Sequence, residues 1–199
     1  MSKAAKHKAS MEKQKTNVDA SIAAADTEKS LVLLLTGNGK GKTSSAFGMV
    51  MRAMGYGHRV GIVQFIKGEQ LSGEELFARE NLPETDFYQM GTGFTWDTQD
   101  RQSDIEAAQH TWREAHRMLS DPSYDLVILD ELTYMLSFDY LEESVVLEAI
   151  HQRPEQQSVV VTGRGGGSAL QELADTVSEV KEIKHAFRAG IKARKGVDF

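Results

Sequence analysis

The chain has 199 residues, 40% of them hydrophobic, with 29 acidic against 23 basic side chains and a formal charge of −6, the composition of one globular unit with a substantial core. It has no cysteine, which excludes disulfides, thiolate metal sites and a cysteine nucleophile, and its acidic balance argues against general nucleic-acid binding. No apolar run approaches the length of a membrane span and the Lys-rich start lacks an apolar signal core, so a cytoplasmic protein without a membrane partner is expected.

Residues 1–30 stand apart from the rest. Lys3, Lys6, Lys8, Lys13 and Lys15 dominate their first half, and no dense apolar pattern precedes Leu31. The segment reads as a basic tail, or as a polar helix that orders over a ligand or partner. Residues 31–199 read as the folded domain. Its first strand, Leu31–Leu35, runs directly into Thr36-Gly37-Asn38-Gly39-Lys40-Gly41-Lys42-Thr43-Ser44. A buried strand, a Gly-rich turn and Lys-Thr opening a helix form a phosphate-binding P-loop. Glycines let backbone N–H groups curl round phosphate oxygens, and the helix N-terminus adds positive potential. The expected nucleotide contacts are Gly37, Asn38, Gly39, Lys40, Gly41, Lys42 and Thr43. Lys42 meets phosphate oxygens and the Thr43 hydroxyl ligates Mg²⁺. The loop departs from G-x-x-x-x-G-K-[ST] in having Thr36 at the first glycine position, and it carries an extra cation, Lys40.

Beyond the loop, apolar strand-like runs alternate with helical patterns. Further strands are expected at Val60–Phe65, Phe87–Met90, Leu126–Leu129 and Ser158–Val161, with a sixth through Val177–Ile183. Helices are expected at Thr43–Met54, Gly73–Glu80, Ser103–Leu119, Glu142–His151 and Ser168–Leu173. The runs Leu126–Leu129 and Val159–Val161 are apolar throughout, as for strands covered on both faces. Trp112 shares a helical face with Ile105, Ala108, Ala115 and Leu119, and reads as core. The fold class is α/β: a P-loop NTPase-like, mostly parallel central sheet flanked by helices, with ligands at the carboxyl ends of the strands. That rim collects the P-loop, Gln64 to Gly68, the segment after Met90, Asp130-Glu131 and Thr162–Gly167.

Val127-Ile128-Leu129-Asp130-Glu131 reads as a Walker B segment, in which a buried strand delivers carboxylates to the place where Mg²⁺ and phosphates meet. A carboxylate there can also cap the next helix, and a second acidic residue can activate water for hydrolysis. Phe94 and Trp96, in a loop made bendable by Gly91 and Gly93, either pin that loop to the core or wall off a flat ligand. Arg164, among the glycines after the fifth strand, can pair with phosphate. Lys192, Arg194 and Lys195 read as a solvated surface. None of the histidines forms a metal-binding pair.

Taken in order, the segments Thr36–Ser44 (TGNGKGKTS), Val60–Gly68 (VGIVQFIKG), Gly91–Trp96 (GTGFTW), Val127–Leu136 (VILDELTYML), Val159–Gly166 (VVVTGRGG), Leu173–Val180 (LADTVSEV) and the KHAF stretch from Lys184 resemble the ATP:corrinoid adenosyltransferases of the CobA/BtuR type. The resemblance implies transfer of the 5′-deoxyadenosyl group of ATP to the Co(I) of a corrinoid, with triphosphate leaving intact. It implies that Gly37 to Thr43 hold the triphosphate, that Thr43 and Glu131 bind Mg²⁺ or Mn²⁺ with Asp130 nearby, and that Lys42 neutralises charge on the leaving group. Phe94 and Trp96 map onto the family's aromatic pair, which covers one corrin face and displaces the lower axial ligand of cobalt. A reduced flavin protein, such as a flavodoxin-like reductase, would then supply an electron to Co(II). The N-terminal segment would fold over the corrinoid site, often across a homodimer. The alternative from the motifs alone is a generic P-loop ATPase releasing ADP and phosphate.

Overall fold

The computed structural model describes residues 2–66, 72–91 and 100–198. Six strands form one parallel sheet in the order β3-β2-β4-β5-β1-β6. They are β1 (Val32–Thr36), β2 (Val60–Gln64), β3 (Asp86–Gln89), β4 (Leu126–Asp130), β5 (Ser158–Thr162) and β6 (Thr176–Glu179). The helices are α1 (Lys3–Ala24), α2 (Lys42–Gly55), α3 (Gly73–Asn81), α4 (Arg101–Ser120), α5 (Leu132–Ser137), α6 (Glu143–His151) and α7 (Gly167–Leu173), followed by a 3₁₀ turn at Ala186–Ala189. Five expected strands and five expected helices lie within a few residues of their expected spans. The sixth strand is shorter than its apolar run, because the chain leaves the sheet after Glu179 to pack against the P-loop.

Strand alternation sorts the core into two layers. Val63, Val127, Leu129, Val159 and Val161 face α4, α6 and α7 on one side, where Trp112 is buried with its ring 6.5 Å from that of Phe65. Ile62, Leu126, Ile128 and Val160 face α2, meeting Ala46, Phe47 and Val50. Both layers are apolar because the central strands β4 and β5 are covered on both faces, as parallel strands require.

The N-terminal segment is a helix rather than a tail. Ser2 accepts a hydrogen bond from Ala5 N–H as its N-cap, and Lys15 pairs with Asp19 one turn on. None of its residues is buried. Below the sheet, at the amino ends of the strands, Arg153 ties three chain segments together. Its guanidinium donates to the carbonyls of Gln157 at 2.7 Å and Ile150 at 2.8 Å, and to the Ser30 hydroxyl at 3.2 Å. Arg153→Ala is expected to lower stability by about 1–3 kcal/mol, since half-buried carbonyls lose a charged donor; a chemical-denaturation midpoint equal to wild type would show that water replaces it.

Candidate active site

The carboxyl ends of β1, β2, β4 and β5 converge on one rim, as sheets of this type dictate. The P-loop leaves β1 with Gly37 at φ +100° and enters α2 through Gly41 at φ +114°. Both values lie where side-chain-bearing residues are strained. Gly37 has a second constraint: a Cβ there would sit 2.4 Å from the Val180 carbonyl oxygen. Lys42 is buried, and its ammonium donates to the carbonyls of Gly37 at 2.8 Å and Gly39 at 3.0 Å. Burial lowers its pKa, the nearby Glu131 and Asp130 oppose that, and Arg164 and Lys40 reinforce it.

Period-two alternation explains how Asp130 is held. Gln64 on β2 is in register with Asp130, and Leu129 with Val161, so Gln64, Asp130 and Thr162 share the face covered by α2. Asp130 Oδ1 accepts from Thr162 Oγ1 at 2.6 Å and from Thr43 Oγ1 at 3.0 Å, while Oδ2 accepts from Gln64 Nε2 at 2.8 Å. Thr43 comes from the first turn of α2, so one carboxylate joins β2, β4, β5 and the P-loop helix. The Thr162 hydroxyl also accepts the Glu131 N–H at 3.0 Å.

Glu131 is different. Its backbone is left-handed, at φ 58° and ψ 23°, a conformation that costs a non-glycine residue of order 1 kcal/mol and clusters at functional sites. Its Oε2 is buried and has no hydrogen-bond partner among the described residues. Burial, with the charge of Asp130 beside it, raises its pKa from 4.5 to about 7, against the pull of Lys42 and Arg164.

Thr36 accounts for the departure from the usual P-loop pattern. Its hydroxyl donates to the Gly165 carbonyl at 2.6 Å, so the residue replacing the first glycine anchors the loop after β5. That loop is fixed again by Thr133 Oγ1, which donates to the Arg164 carbonyl at 3.0 Å. The packing is close: a Cβ on Gly163 would lie 2.0 Å from Thr133 Oγ1. Arg164 itself is exposed, faces the rim and acts electrostatically on Lys42 and Glu131.

These residues border a cleft of about 940 Å³, within the range of small-molecule sites. Its floor is the P-loop with Asp130, Glu131 and Arg164, and one end is apolar, with Phe47, Met51 and Phe77. The expected residues Asn38, Gly39, Lys40, Gly41, Lys42, Thr43 and Glu131 line one cleft, and Gly37 shapes the loop beneath them. His185 also borders it, with Nδ1 accepting the Phe187 N–H to cap the 3₁₀ turn. Phe94 and Trp96 lie outside the described residues. Sequence reasoning puts Thr162 on the rim without its bond to Asp130, and it misses Thr133, whose signal is a hydroxyl beside the Asp-Glu pair. It also gave no role to Tyr134, which borders the cleft.

The family profile described as ATP:corrinoid adenosyltransferase BtuR/CobO/CobP matches residues 28–199. A corrinoid adenosyltransferase of Pseudomonas aeruginosa is 53% identical over 98% of this chain and 96% of its own length. One from Escherichia coli K12 is 52% identical over 93% of each chain. The corrinoid adenosyltransferase CobA of Salmonella typhimurium is 49% identical over 94% of this chain and 95% of its own. With a P-loop, paired carboxylates and a cleft on the same rim, and identity spread over nearly its whole length, this chain belongs to the ATP:corrinoid adenosyltransferase family.

Proposed function

We propose that ATP binds with its triphosphate along Gly37–Thr43 and that its 5′-deoxyadenosyl group passes to the Co(I) of a corrinoid. The cobalt electron pair forms the new bond to C5′, the C5′–O bond breaks, and triphosphate leaves with that bonding pair. Cobalt is formally oxidised from Co(I) to Co(III). The nucleophile carries no proton, so the chain needs no general base. The observation that carries this reading is a P-loop lysine and a paired acidic site on one cleft in a member of a family that adenosylates corrinoids.

Within that reading Lys42 exchanges its loop carbonyls for phosphate oxygens and stabilises charge on the leaving group. Arg164, exposed on the same rim, adds a further positive charge. Asp130 keeps Thr43 oriented through the bond between them. A divalent cation, Mg²⁺ or Mn²⁺, fits Thr43 and Glu131: the donors are hard oxygens, and Glu131 Oε2 is buried without a hydrogen-bond partner among the described residues. When bound, the ion would supply positive charge against the triphosphate. No group of three or more His, Cys, Asp or Glu able to hold a metal occurs among the described residues, which suits an ion completed by phosphates and water rather than by a protein cage.

Residues 31–199 are assigned to the transferase domain and residues 1–30 to a segment that orders over the cleft, across a homodimer. The exposed length of α1 supports this, as a helix with no buried residue lacks the packing that ordinarily stabilises helices in water. The electron donor is assigned to a reduced, flavodoxin-like flavin protein. No helix among the described residues is long and apolar enough to cross a membrane.

The test is anaerobic. Protein, Mg-ATP and chemically reduced Co(I) corrinoid should yield a light-sensitive adenosylcorrinoid and an equal amount of triphosphate. Release of ADP and phosphate without that product would favour the ATPase. Phe94 and Trp96 are assigned to the corrin face. Phe94→Ala or Trp96→Ala should therefore lower turnover from Co(II) corrinoid by tenfold or more relative to turnover from prepared Co(I), on the order of 1–2 kcal/mol. Equal losses on both routes would remove the axial-ligand role.

A further inference from the structure

The segment after β6 forms one wall of the P-loop. Gly39 N–H donates to the Val180 carbonyl at 2.7 Å, and Val180 N–H to the Thr36 carbonyl at 2.8 Å. A Cβ on Gly39 would meet the Lys181 backbone at 2.8 Å. The Gly39 amide is therefore committed to the chain's own carbonyl. Further on, the chain returns to the same loop: Asp198 Oδ1 lies 2.8 Å from Lys40 Nζ. A turn pins this carboxylate. Its Oδ2 accepts the Arg194 N–H at 2.9 Å, and Asp198 N–H donates to the Arg194 carbonyl at 2.8 Å. Gly196, at φ +76°, lets the turn close. Gly196, Val197 and Asp198 border the cleft together with the P-loop.

Three polar side chains of the loop are thus held in different ways. Lys42 is held by carbonyls and Thr43 by a carboxylate at the base of the site. Lys40 is held by a carboxylate that comes from the C-terminal turn and stands in the cleft. We propose that Asp198 is a positioning residue that competes with the triphosphate for Lys40. The inference rests on the placement of ATP proposed above. Triphosphate entering along the loop meets a cation already paired and a like charge beside it. Both effects oppose binding, and both favour release of the triphosphate product once the C5′–O bond has broken. A P-loop that must discharge an intact triphosphate, rather than ADP and phosphate separately, has use for such a competitor.

The pair is partly exposed, with 47% and 23% of the two side chains accessible, so the expected effect is modest. Asp198→Asn keeps the shape and removes the charge. It should tighten binding of inorganic tripolyphosphate and of Mg-ATP by roughly two- to fivefold, the scale of an exposed ion pair. Triphosphate should become a correspondingly stronger product inhibitor, while kcat from Co(I) corrinoid falls or stays level. Asp198→Ser removes the same charge and should act in the same direction. In a Lys40→Ala background the gain from Asp198→Asn should shrink, which a purely structural role for the turn would not produce. Calorimetric titration of the full chain with each ligand reads all of these. Wild-type binding with unchanged or weaker affinity in both Asp198 variants would overturn the inference alone. Wild-type protein that binds neither ligand would overturn the placement of ATP and the inference with it.

Discussion

Lys42→Ala is expected to lower turnover by at least about 100-fold, with equal losses from Co(II) and from prepared Co(I) corrinoid. The lysine is buried where the loop opens α2, and its pKa is held down chiefly by that burial. In the placement of ATP proposed above it is a preorganised charge, which exchanges the two loop carbonyls that hold it for phosphate oxygens. The equal loss on both routes follows because the triphosphate departs in the same step whatever the source of Co(I). Removing the ammonium strips a donor from two carbonyls but also lifts the burial cost that lowers its pKa, so the two effects on stability oppose each other. Lys42→Arg should not restore activity, because a planar guanidinium does not replace a compact ammonium in a buried loop. Single-turnover assays beside calorimetric ATP titration check this. Normal Mg-ATP affinity in Lys42→Ala with intact turnover would remove the lysine from the site.

The parts of the site that were legible in the sequence are those made by consecutive residues. Strand, glycine turn and Lys-Thr are local, so Thr36 to Ser44 announced the P-loop, and an apolar strand ending in Asp130-Glu131 announced the acidic pair. Partners brought together by the sheet left no such mark. Gln64 and Thr162 reach Asp130 from strands 66 and 32 residues away, and only the parallel register makes them neighbours. Helix α5 spans six residues, Leu132–Ser137, fewer than two turns, too short for a periodic pattern to register. The Thr36 exception became intelligible only with its bond to Gly165. The C-terminal turn reads as a solvated basic surface, and Lys192, Arg194 and Lys195 are exposed; nothing in a local pattern pairs Asp198 with Lys40. For α1 the sequence leaves tail and helix open: its alanines and lysines are good helix formers, but it has no buried face.

Glu131→Gln is expected to move stability and activity in opposite directions. In wild-type protein without metal, the carboxyl is displaced from 4.5 to about 7 by burial and by Asp130. Below pH 4.5 folded and unfolded chains both hold its proton, and it contributes nothing to the pH dependence. Between 4.5 and about 7 the folded chain keeps a proton that the unfolded chain has lost, so stability falls as pH rises. Above about 7 the whole cost is present, at most about 3 kcal/mol for a displacement of this size. The amide removes the charge but still buries a polar group, so metal-free Glu131→Gln should be more stable than wild type by about 1–2 kcal/mol at pH 8. At pH 4 the two should coincide. Mg-ATP should reverse the order: it stabilises a protein that binds it in the folded state, and the variant has lost the carboxylate assigned to the ion. Turnover should fall by about 100-fold. Thermal unfolding at both pH values, with and without Mg-ATP, separates these effects. A variant less stable than wild type at pH 8 without metal, or one stabilised by Mg-ATP as strongly as wild type, would return Glu131 to a structural role at the start of α5.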